Sequence, residues 1–306
     1  MTRLRNLPIN QRPTQWKLNS RQLAGHLGIA ALLAIALIKA ASASTAQAGT
    51  AHPWLEHAPA GQTLAERIAP PEGFERLPAS PHSFALWLRN LPMKPVGTKV
   101  MLHDGRPKWY QGAHFAVLDI DTGKRDLQQC ADAVMRLRAE YLLAAGRARE
   151  IAFNDTGGAK PISYAKWSNG HRPRLKGQRL SWSRRARPDA SYRSFRRYMN
   201  VVFAYAGTYS LSKELRPVAT EDMAIGDVFI KGGFPGHAVL VSDMVRHPET
   251  GEKRFLLIQS YMPAQDIHVL KNPADPSGGP WYALPLGGEL DTPEWRFKAD
   301  SLMRWR

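Results

Sequence analysis

Cys130 is the residue whose chemistry most restricts the range of functions that this sequence can have. It is the single cysteine among 306 residues, so the chain forms no internal disulfide. A lone thiol serves either as a small apolar side chain in the core or as a nucleophile. A thiol attacks as its thiolate, which a helix N-terminus and a neighbouring imidazole both stabilise. Catalysis by Cys130 therefore requires a helix that starts near it and a histidine that reaches it.

A helix is predicted around Cys130. Asp126 is a suitable N-cap, and Gly146 is a suitable residue just past the C-terminus. Four residues recur at the spacing of one helical face, and three charged residues occupy the opposite face: Cys130, Val134, Leu137 and Tyr141 against Arg136, Arg138 and Glu140. The pattern predicts that Cys130 lies in the first turns and points towards the interior.

His237 is the candidate base. It follows Pro235-Gly236 and opens a short apolar strand, a position that holds an imidazole rigidly beside a cleft. A turn centred near residue 249 makes paired residue numbers sum to about 498, so His237 lies opposite a residue near 261. Gln259 is the nearest polar residue within the second strand and is predicted to hold the far ring nitrogen. Tyr261 and Asp243 are the alternatives for that role.

Each of these three residues also has an ordinary structural explanation. Cys130 suits an apolar helical face, and free cysteine is among the most buried residue types. His237 can satisfy a backbone carbonyl, and Gln259 can face water at a sheet edge. Their occurrence in one chain order, with a single cysteine, favours the catalytic interpretation.

Metals and other cofactors are not expected. Asp119 and Asp121 alternate along a strand, and His268 follows Asp266 by two, but neither spacing is that of a recognised ligand set. Gly232-Gly233 lies between strands and opens no helix, as a phosphate-binding loop would.

The remaining patterns predict an α+β fold. They comprise a short helix at 83–90, a possible hairpin of strands at 98–102 and 114–121, a second long helix from Asp189 or Ser191 to Ala206, a short helix near 211–215, and a meander of strands at 227–230, 237–243, 254–259 and 267–270. The Cys130 helix is expected to pack on an antiparallel sheet of about five strands. Residues 49–82 are interpreted as an extended lead-in, and 83–306 as one domain with an irregular basic insertion at 154–188.

Three short motifs resemble the papain-like hydrolases, most closely the NlpC-type cell-wall peptidases and amidases. They are the helix with Cys130, the segments Gly226–Ile230 and Gly236–Val241, and the polar residue on the following strand. A wider likeness, over most of residues 70–270, is to a family of exported bacterial proteins classed as a domain of unknown function. Its marks include Gln129–Val134 and Ser260–Gln265.

The papain-like resemblance implies a papain-like fold in which Cys130 is the nucleophile, His237 the general base and Gln259 the orienting residue. Two features depart from that pattern. The interval between Cys130 and His237 holds the basic insertion and an extra helix. Lys124 stands six residues before Cys130, where papain-type enzymes carry an oxyanion glutamine, so Gln128 or Gln129 is the candidate substitute.

The N-terminus has the three parts of a signal peptide. Five basic residues precede an apolar run of 12 residues, Leu27–Ile38, and small residues end in Ala46-Gln47-Ala48. We expect residues 1–48 to be removed on export, which makes the mature protein secreted or periplasmic. The apolar run is shorter than the roughly 20 residues that span a bilayer. An uncleaved N-terminal anchor is the alternative, because Lys39 directly follows the run.

Positive charge is concentrated in one segment of a chain with formal charge +16. Between Lys166 and Arg197 there are eleven Lys or Arg residues and a single acidic one, Asp189. Such a field favours an anionic partner. Export favours an envelope polymer or a membrane surface over nucleic acid, and a merely solvated basic insertion is the simpler explanation. The sequence does not specify an oligomeric state.

Two hypotheses from different classes follow. The first is a thiol hydrolase or acyl transferase that acts on an amide or ester bond in the cell envelope. The second is a non-catalytic envelope-binding module that uses the basic segment 166–197 as its working surface. Replacement of Cys130 by serine separates them, because only the enzyme depends on the thiol.

Overall fold

A computed structural model of the chain describes residues 52–55, 61–158, 161–177 and 179–306. The predicted signal peptide at 1–48 and parts of the predicted lead-in lie outside these residues. Within the described part of the chain, no helix is both long enough and apolar enough to cross a membrane.

The fold combines helices with antiparallel sheets, as the sequence predicts at the level of class. The helices are α1 (Leu64–Arg67), α2 (Phe84–Arg89), α3 (Cys130–Ala144), α4 (Tyr164–Ser168), α5 (Tyr192–Tyr205) and α6 (Thr208–Glu214). The strands are β1 (Glu75–Arg76), β2 (His114–Val117), β3 (Ala152–Phe153), β4 (Ile162–Ser163), β5 (His171–Lys176), β6 (Arg179–Arg184), β7 (Arg216–Pro217), β8 (Val228–Lys231), β9 (His237–Arg246), β10 (Lys253–Gln259), β11 (His268–Leu270), β12 (Tyr282–Leu284), β13 (Glu289–Asp291), β14 (Arg296–Lys298) and β15 (Leu302–Arg304).

The main sheet is built around the predicted meander. Its strand order is β2-β11-β10-β9-β8-β15-β7, with β1 paired to β9 and β12 to β10. Ile258 pairs with Leu240 and Leu257 with Val241. Near the N-terminus of β9 the paired residue numbers therefore sum to 498, as predicted. The register shifts by one beyond Leu256. The predicted register therefore holds for the end of the hairpin that carries His237.

The predicted hairpin of 98–102 with 114–121 is wrong. The second segment forms β2, which pairs with β11. The first forms only isolated bridges, such as that between Leu102 and Gln265. The long-range pairing is favoured because it buries Ala116 and Val117 where β2 extends the main sheet. A separate hairpin would leave these two side chains in water.

Helix α3 differs from the prediction at its start and on its polar face. Its N-cap is Gln129, whose backbone N–H donates to Asp132. Asp126, the predicted N-cap, instead accepts the backbone N–H of Ala264 at 2.7 Å. The predicted C-terminal signal is confirmed, since Gly146 follows the C-cap with a φ of 71°. That positive φ is accessible to glycine at little cost.

The polar face of α3 is buried, because a second layer covers it. Arg136 is fully buried and pairs with Glu140 at 2.6 Å. The hydroxyl of Tyr192, at the start of α5, donates to the same carboxylate oxygen at 2.8 Å. Helical periodicity does not reveal a helix covered on both sides when the second contact is polar.

Three segments are more regular than their composition suggests. The basic insertion contains β4, α4 and the hairpin β5–β6. The expected lead-in contributes α1, capped by Thr63, and β1, which pairs with β9. The chain after β11, which gave no readable pattern, adds β12 and β15 to the main sheet and forms the hairpin β13–β14. β1, β12 and β15 pair with strands distant in sequence, whereas the strands of the basic insertion pair with near neighbours.

Candidate active site

The fold brings Cys130 and His237 to the same cavity. Cys130 is the first residue of α3 and is half-buried, and His237 is the first residue of β9. Both line a cavity of about 260 Å³, together with Tyr261 and Trp295. The backbone N–H of Ala238, directly after His237, lies within hydrogen-bonding reach of the Cys130 thiol. The start of β9 therefore lies against the start of α3.

His237 is held by aromatic rings and by a tight loop. Its side chain is 1% exposed, and its ring centroid lies 4.8 Å from that of Tyr261 and 5.3 Å from that of Trp295. A side chain at Gly236 would overlap the hydroxyl of Thr208, so the backbone approaches α6 closely just before the histidine. Only glycine allows that approach.

Gln259 fixes the tautomer of His237. The Gln259 Nε2 lies 2.8 Å from Oε2 of Glu294, and a carboxylate only accepts, so this end of the amide is the donor. The Gln259 Oε1 therefore faces Nε2 of His237, at 2.8 Å, and accepts its proton. The other ring nitrogen, Nδ1, is left as an unprotonated acceptor. The predicted pairing of Gln259 with His237 is thus present, and its direction leaves Nδ1 of His237 able to accept a proton.

A buried polar network supports Gln259 from behind. His268 donates from Nδ1 to the carbonyl of Asp266 at 2.9 Å, so its Nε2 is an acceptor, and this atom lies 3.4 Å from Nε2 of Gln259. Glu294 also pairs with Lys108 at 2.5 Å, and both side chains are almost fully buried. The amide therefore cannot turn over without losing acceptors for both of its N–H groups.

Burial sets the resting protonation of the pair. Desolvation raises the pKa of the Cys130 thiol to about 11, and the nearby Asp132 adds to the rise. Desolvation lowers the pKa of His237 to about 4, against the opposing effect of the hydrogen bond that its Nε2 donates to Gln259. At neutral pH the cavity is therefore lined by a thiol and a neutral imidazole, and a neutral imidazole can accept a proton from a thiol that attacks.

The alternative orienting residues have other partners. Asp243 is fully buried and receives Arg76 at 2.8 Å and Arg89 at 2.6 Å, so it joins β1 and α2 to β9. Tyr261 lines the cavity and packs on the ring of His237, without a hydrogen bond to it among the described residues.

Of the predicted oxyanion glutamines, Gln129 is engaged elsewhere, since its Nε2 donates to Asp126 at 3.0 Å. Gln128 is fully buried and its Oε1 accepts from Arg136 at 2.9 Å, while its Nε2 has no hydrogen-bond partner among the described residues and is not part of the cavity lining. The backbone N–H groups at the start of α3 remain, and those of Cys130 and Ala131 lie beside the thiol. Donors at a helix N-terminus are suited to an oxyanion.

No group of three or more potential metal ligands occurs within the described ranges. The buried histidines His237 and His268 are instead joined through the amide of Gln259.

The model of a protein family described as domain of unknown function (4846), DUF4846, matches residues 64–304. The chain belongs to the DUF4846 family. The match contains the helix with Cys130, the strand with His237, and Gln259 with its supporting network. No curated protein and no solved structure matches the chain.

Sequence reasoning missed several residues around the site of this DUF4846 domain. Glu294 and Trp295 lie in the turn between β13 and β14, which Thr292 closes with hydrogen bonds to Trp295. Lys108 reaches Glu294 from a loop that forms no strand of the main sheet. The sequence contains one hint of their role: an acidic and an aromatic residue are adjacent in a turn that contains proline. This composition does not indicate which strand the turn packs against.

Acid is expected to lower the free energy of unfolding of this DUF4846 domain through its buried histidines. Burial lowers the pKa of His268 to about 3, whereas a histidine in an unfolded chain titrates near 6.5. Below that pH the unfolded chain binds the proton first, so unfolding becomes easier by up to about 1.4 kcal/mol per pH unit. The stabilisation is complete above about pH 6.5 and is lost as the pH falls towards the folded pKa.

The substitution His268→Gln isolates this effect, since glutamine keeps an acceptor for Gln259 and does not titrate. Between pH 7 and pH 5, the wild type is expected to lose about 2 kcal/mol of unfolding free energy relative to the variant, as measured by guanidinium denaturation. Burial raises the pKa of Glu214 to about 7, an effect of opposite sign that is common to both proteins and cancels in the difference. An identical difference at the two pH values would contradict the assignment.

Proposed function

We propose that this protein is a thiol hydrolase or acyl transferase with a papain-like arrangement of Cys130, His237 and Gln259. The observation that carries the proposal is the orientation of His237. Its Nε2 donates to Gln259, which leaves Nδ1 unprotonated, and His237 lines the same cavity as the half-buried thiol. Nucleophile, base and orienting residue are thus supplied in that order by a helix start, a strand start and the adjoining strand.

The first half-reaction transfers an acyl group to sulfur. The Cys130 sulfur forms a bond to the substrate carbonyl carbon as its proton passes to Nδ1 of His237, and the carbonyl electron pair moves to oxygen. As the tetrahedral intermediate collapses, the amine or alcohol leaves with the proton from His237. The product is a thioester on Cys130.

The second half-reaction regenerates the thiol. His237 takes a proton from water, or from another nucleophile that accepts the acyl group, as that molecule attacks the thioester carbon. His237 then returns the proton to the departing sulfur. Water gives hydrolysis, and a different nucleophile gives acyl transfer. In both steps the backbone N–H groups at the start of α3 are placed to stabilise negative charge on the carbonyl oxygen.

An activated ester tests the proposal directly. Incubation with p-nitrophenyl acetate is expected to release a burst of p-nitrophenolate equal to the protein concentration and to add one acetyl group to Cys130, located by mass spectrometry. Acetylation of lysines alone, with an unmodified Cys130, would overturn the proposal. The chain contains one cysteine, so a thioester is assigned without ambiguity.

The cell envelope is the proposed place of action, with residues 1–48 as the export signal and the basic segment 166–197 as the part that recruits an anionic polymer or membrane surface. The hairpin β5–β6 supports the second role, because its exposed basic side chains include Arg174 and Arg184. The same surface would serve a non-catalytic binding module, which is the alternative function.

Charge reversal on this hairpin is expected to weaken binding to anionic surfaces. The double variant Arg174→Glu/Arg184→Glu should bind vesicles of phosphatidylglycerol at least about tenfold more weakly than the wild type at low salt, because each basic residue near such a surface contributes about 1 kcal/mol. Sedimentation with vesicles measures the effect, and pure phosphatidylcholine provides the neutral reference. The matched control is Arg149→Glu/Lys298→Glu, an equal change in net charge at exposed residues outside the segment. Equal weakening in the control would show that only net charge matters.

A further inference from the structure

The cavity that contains Cys130 has an unusual charge for this protein. The chain as a whole carries a formal charge of +16. Among the described residues that line the cavity there is no lysine or arginine, whereas Asp126 and Asp132 are both present. The formal charge of the lining residues is therefore opposite in sign to that of the protein, and a ligand held there meets acidic rather than basic side chains.

Asp132 is the residue whose environment is incomplete. It lies two residues after Cys130, and its side chain is 7% exposed. One carboxylate oxygen, Oδ2, accepts the backbone N–H of Gln129 at 3.1 Å, which is the usual role of an acidic residue in the first turn of a helix. The other oxygen, Oδ1, is buried and has no hydrogen-bond partner among the described residues. Helix capping accounts for the first oxygen and leaves the second unexplained.

A buried carboxylate oxygen without a donor is unfavourable, and a ligand that carries a donor would satisfy it. The donor must carry hydrogen, and an ammonium group also neutralises the charge. Aromatic faces around the cavity suit the same ligand, because a cation is attracted to the face of an aromatic ring. Phe234 is such a ring and is 94% exposed, whereas the ring of Tyr209 already has Nζ of Lys213 at 5.7 Å from its centroid.

We propose that this cavity binds a substrate that carries a positively charged amine close to the bond under attack, and that Oδ1 of Asp132 accepts a hydrogen bond from that amine. The inference rests on the proposed function for the carbonyl that Cys130 attacks, and it adds the chemical class of the neighbouring group. Asp126, at the more exposed edge of the same cavity, adds a second negative charge to the approach. Burial raises the pKa of the Asp132 carboxyl, and a bound ammonium would reverse that shift.

Charged thiol reagents test the inference without a known substrate. The probes are 2-aminoethyl methanethiosulfonate, which is cationic, and 2-sulfonatoethyl methanethiosulfonate, which is anionic. With either reagent, the Cys130 thiolate attacks the thio sulfur, forms a mixed disulfide and releases methanesulfinate. The rates on the full chain are divided by the rates of the same reagents with 2-mercaptoethanol, so intrinsic reactivity cancels.

The normalised rate is expected to be at least about tenfold higher for the cationic reagent, against the sign of the net charge of the protein. Asp132→Asn keeps an oxygen for the N–H of Gln129 and is expected to reduce this preference to within about threefold. Asp300→Asn, an exposed residue outside the cavity, removes the same formal charge and is expected to leave the preference unchanged.

The outcomes distinguish this inference from the proposed function. Equal normalised rates for the two reagents, or an unchanged preference in Asp132→Asn, would overturn the amine site while the acetylation experiment still decides the hydrolase. A preference lost equally in Asp300→Asn would also overturn it, because net charge would then explain the effect. A thiol that reacts with neither reagent until the protein is denatured would overturn both proposals.

Discussion

Replacement of Cys130 by alanine is expected to abolish acyl transfer. The burst of p-nitrophenolate should disappear, and turnover of the ester should fall at least about 1,000-fold, to the background of the cavity alone. The reason is covalent, because alanine has no sulfur to form the thioester that the proposed mechanism requires. The measurement is the absorbance of p-nitrophenolate, together with the mass of the intact chain.

Two further variants keep this result interpretable. His237→Ala retains the thiol and removes the base, so its rate should fall by about 100-fold to 10,000-fold. Gln259→Ala retains both and frees the ring of His237 to change tautomer, so a smaller loss is expected. Each variant is compared with wild type by guanidinium denaturation, which identifies a loss due to unfolding. Full activity in Cys130→Ala, with the wild-type stability, would refute the thiol mechanism.

The second large effect concerns the stability of α3. Arg136→Met is expected to lower the free energy of unfolding by about 3–5 kcal/mol, because Glu140 would remain as a buried charge without its partner. Arg136 also donates to Gln128 at 2.9 Å and to the carboxylate of Asp121 at 3.1 Å, so it connects the helix to the turn before Cys130. Denaturation in guanidinium, followed by circular dichroism, measures the loss.

A double variant tests the cause. Arg136→Met/Glu140→Leu removes both charges and is expected to recover a substantial part of the loss, since the unpaired carboxylate is gone. Arg138→Met is the matched control on the same helix. Arg138 contacts the rings of Phe84 and Trp305 without an ion pair among the described residues, so about 1 kcal/mol is expected. An equal loss for Arg136→Met and Arg138→Met would contradict the buried-pair explanation.

The meander was predictable because its pattern is local. Alternating apolar residues and a polar turn fix both the strands and the register that brings His237 towards Gln259. The start of α3 was predicted three residues too early, since Asp126 has the residue type of an N-cap but instead accepts the backbone N–H of Ala264. An aspartate that caps a helix and one that holds a loop both accept a backbone N–H, so only the tertiary fold distinguishes the two roles.

The support for Gln259 was not predictable from the sequence. Glu294 is 35 residues away, in a hairpin turn whose packing against β10 has no signature in composition or period. The basic hairpin β5–β6 was hidden for a related reason. Its strands contain Pro173 and five arginines or lysines, which mask the alternation of a strand.

The position of β15 in the main sheet bears on the order in which parts of the fold form during synthesis. β15, which ends at Arg304, inserts between β8 and β7, and the turn that carries Glu294 precedes it by only a few residues. A chain emerging from the ribosome or crossing a membrane already contains Cys130, His237 and Gln259, yet it has neither the carboxylate that fixes the amide nor the strand that completes the sheet. The site that we propose is therefore completed only by the residues after β12, and a chain interrupted there would contain Cys130, His237 and Gln259 without the carboxylate that fixes the amide.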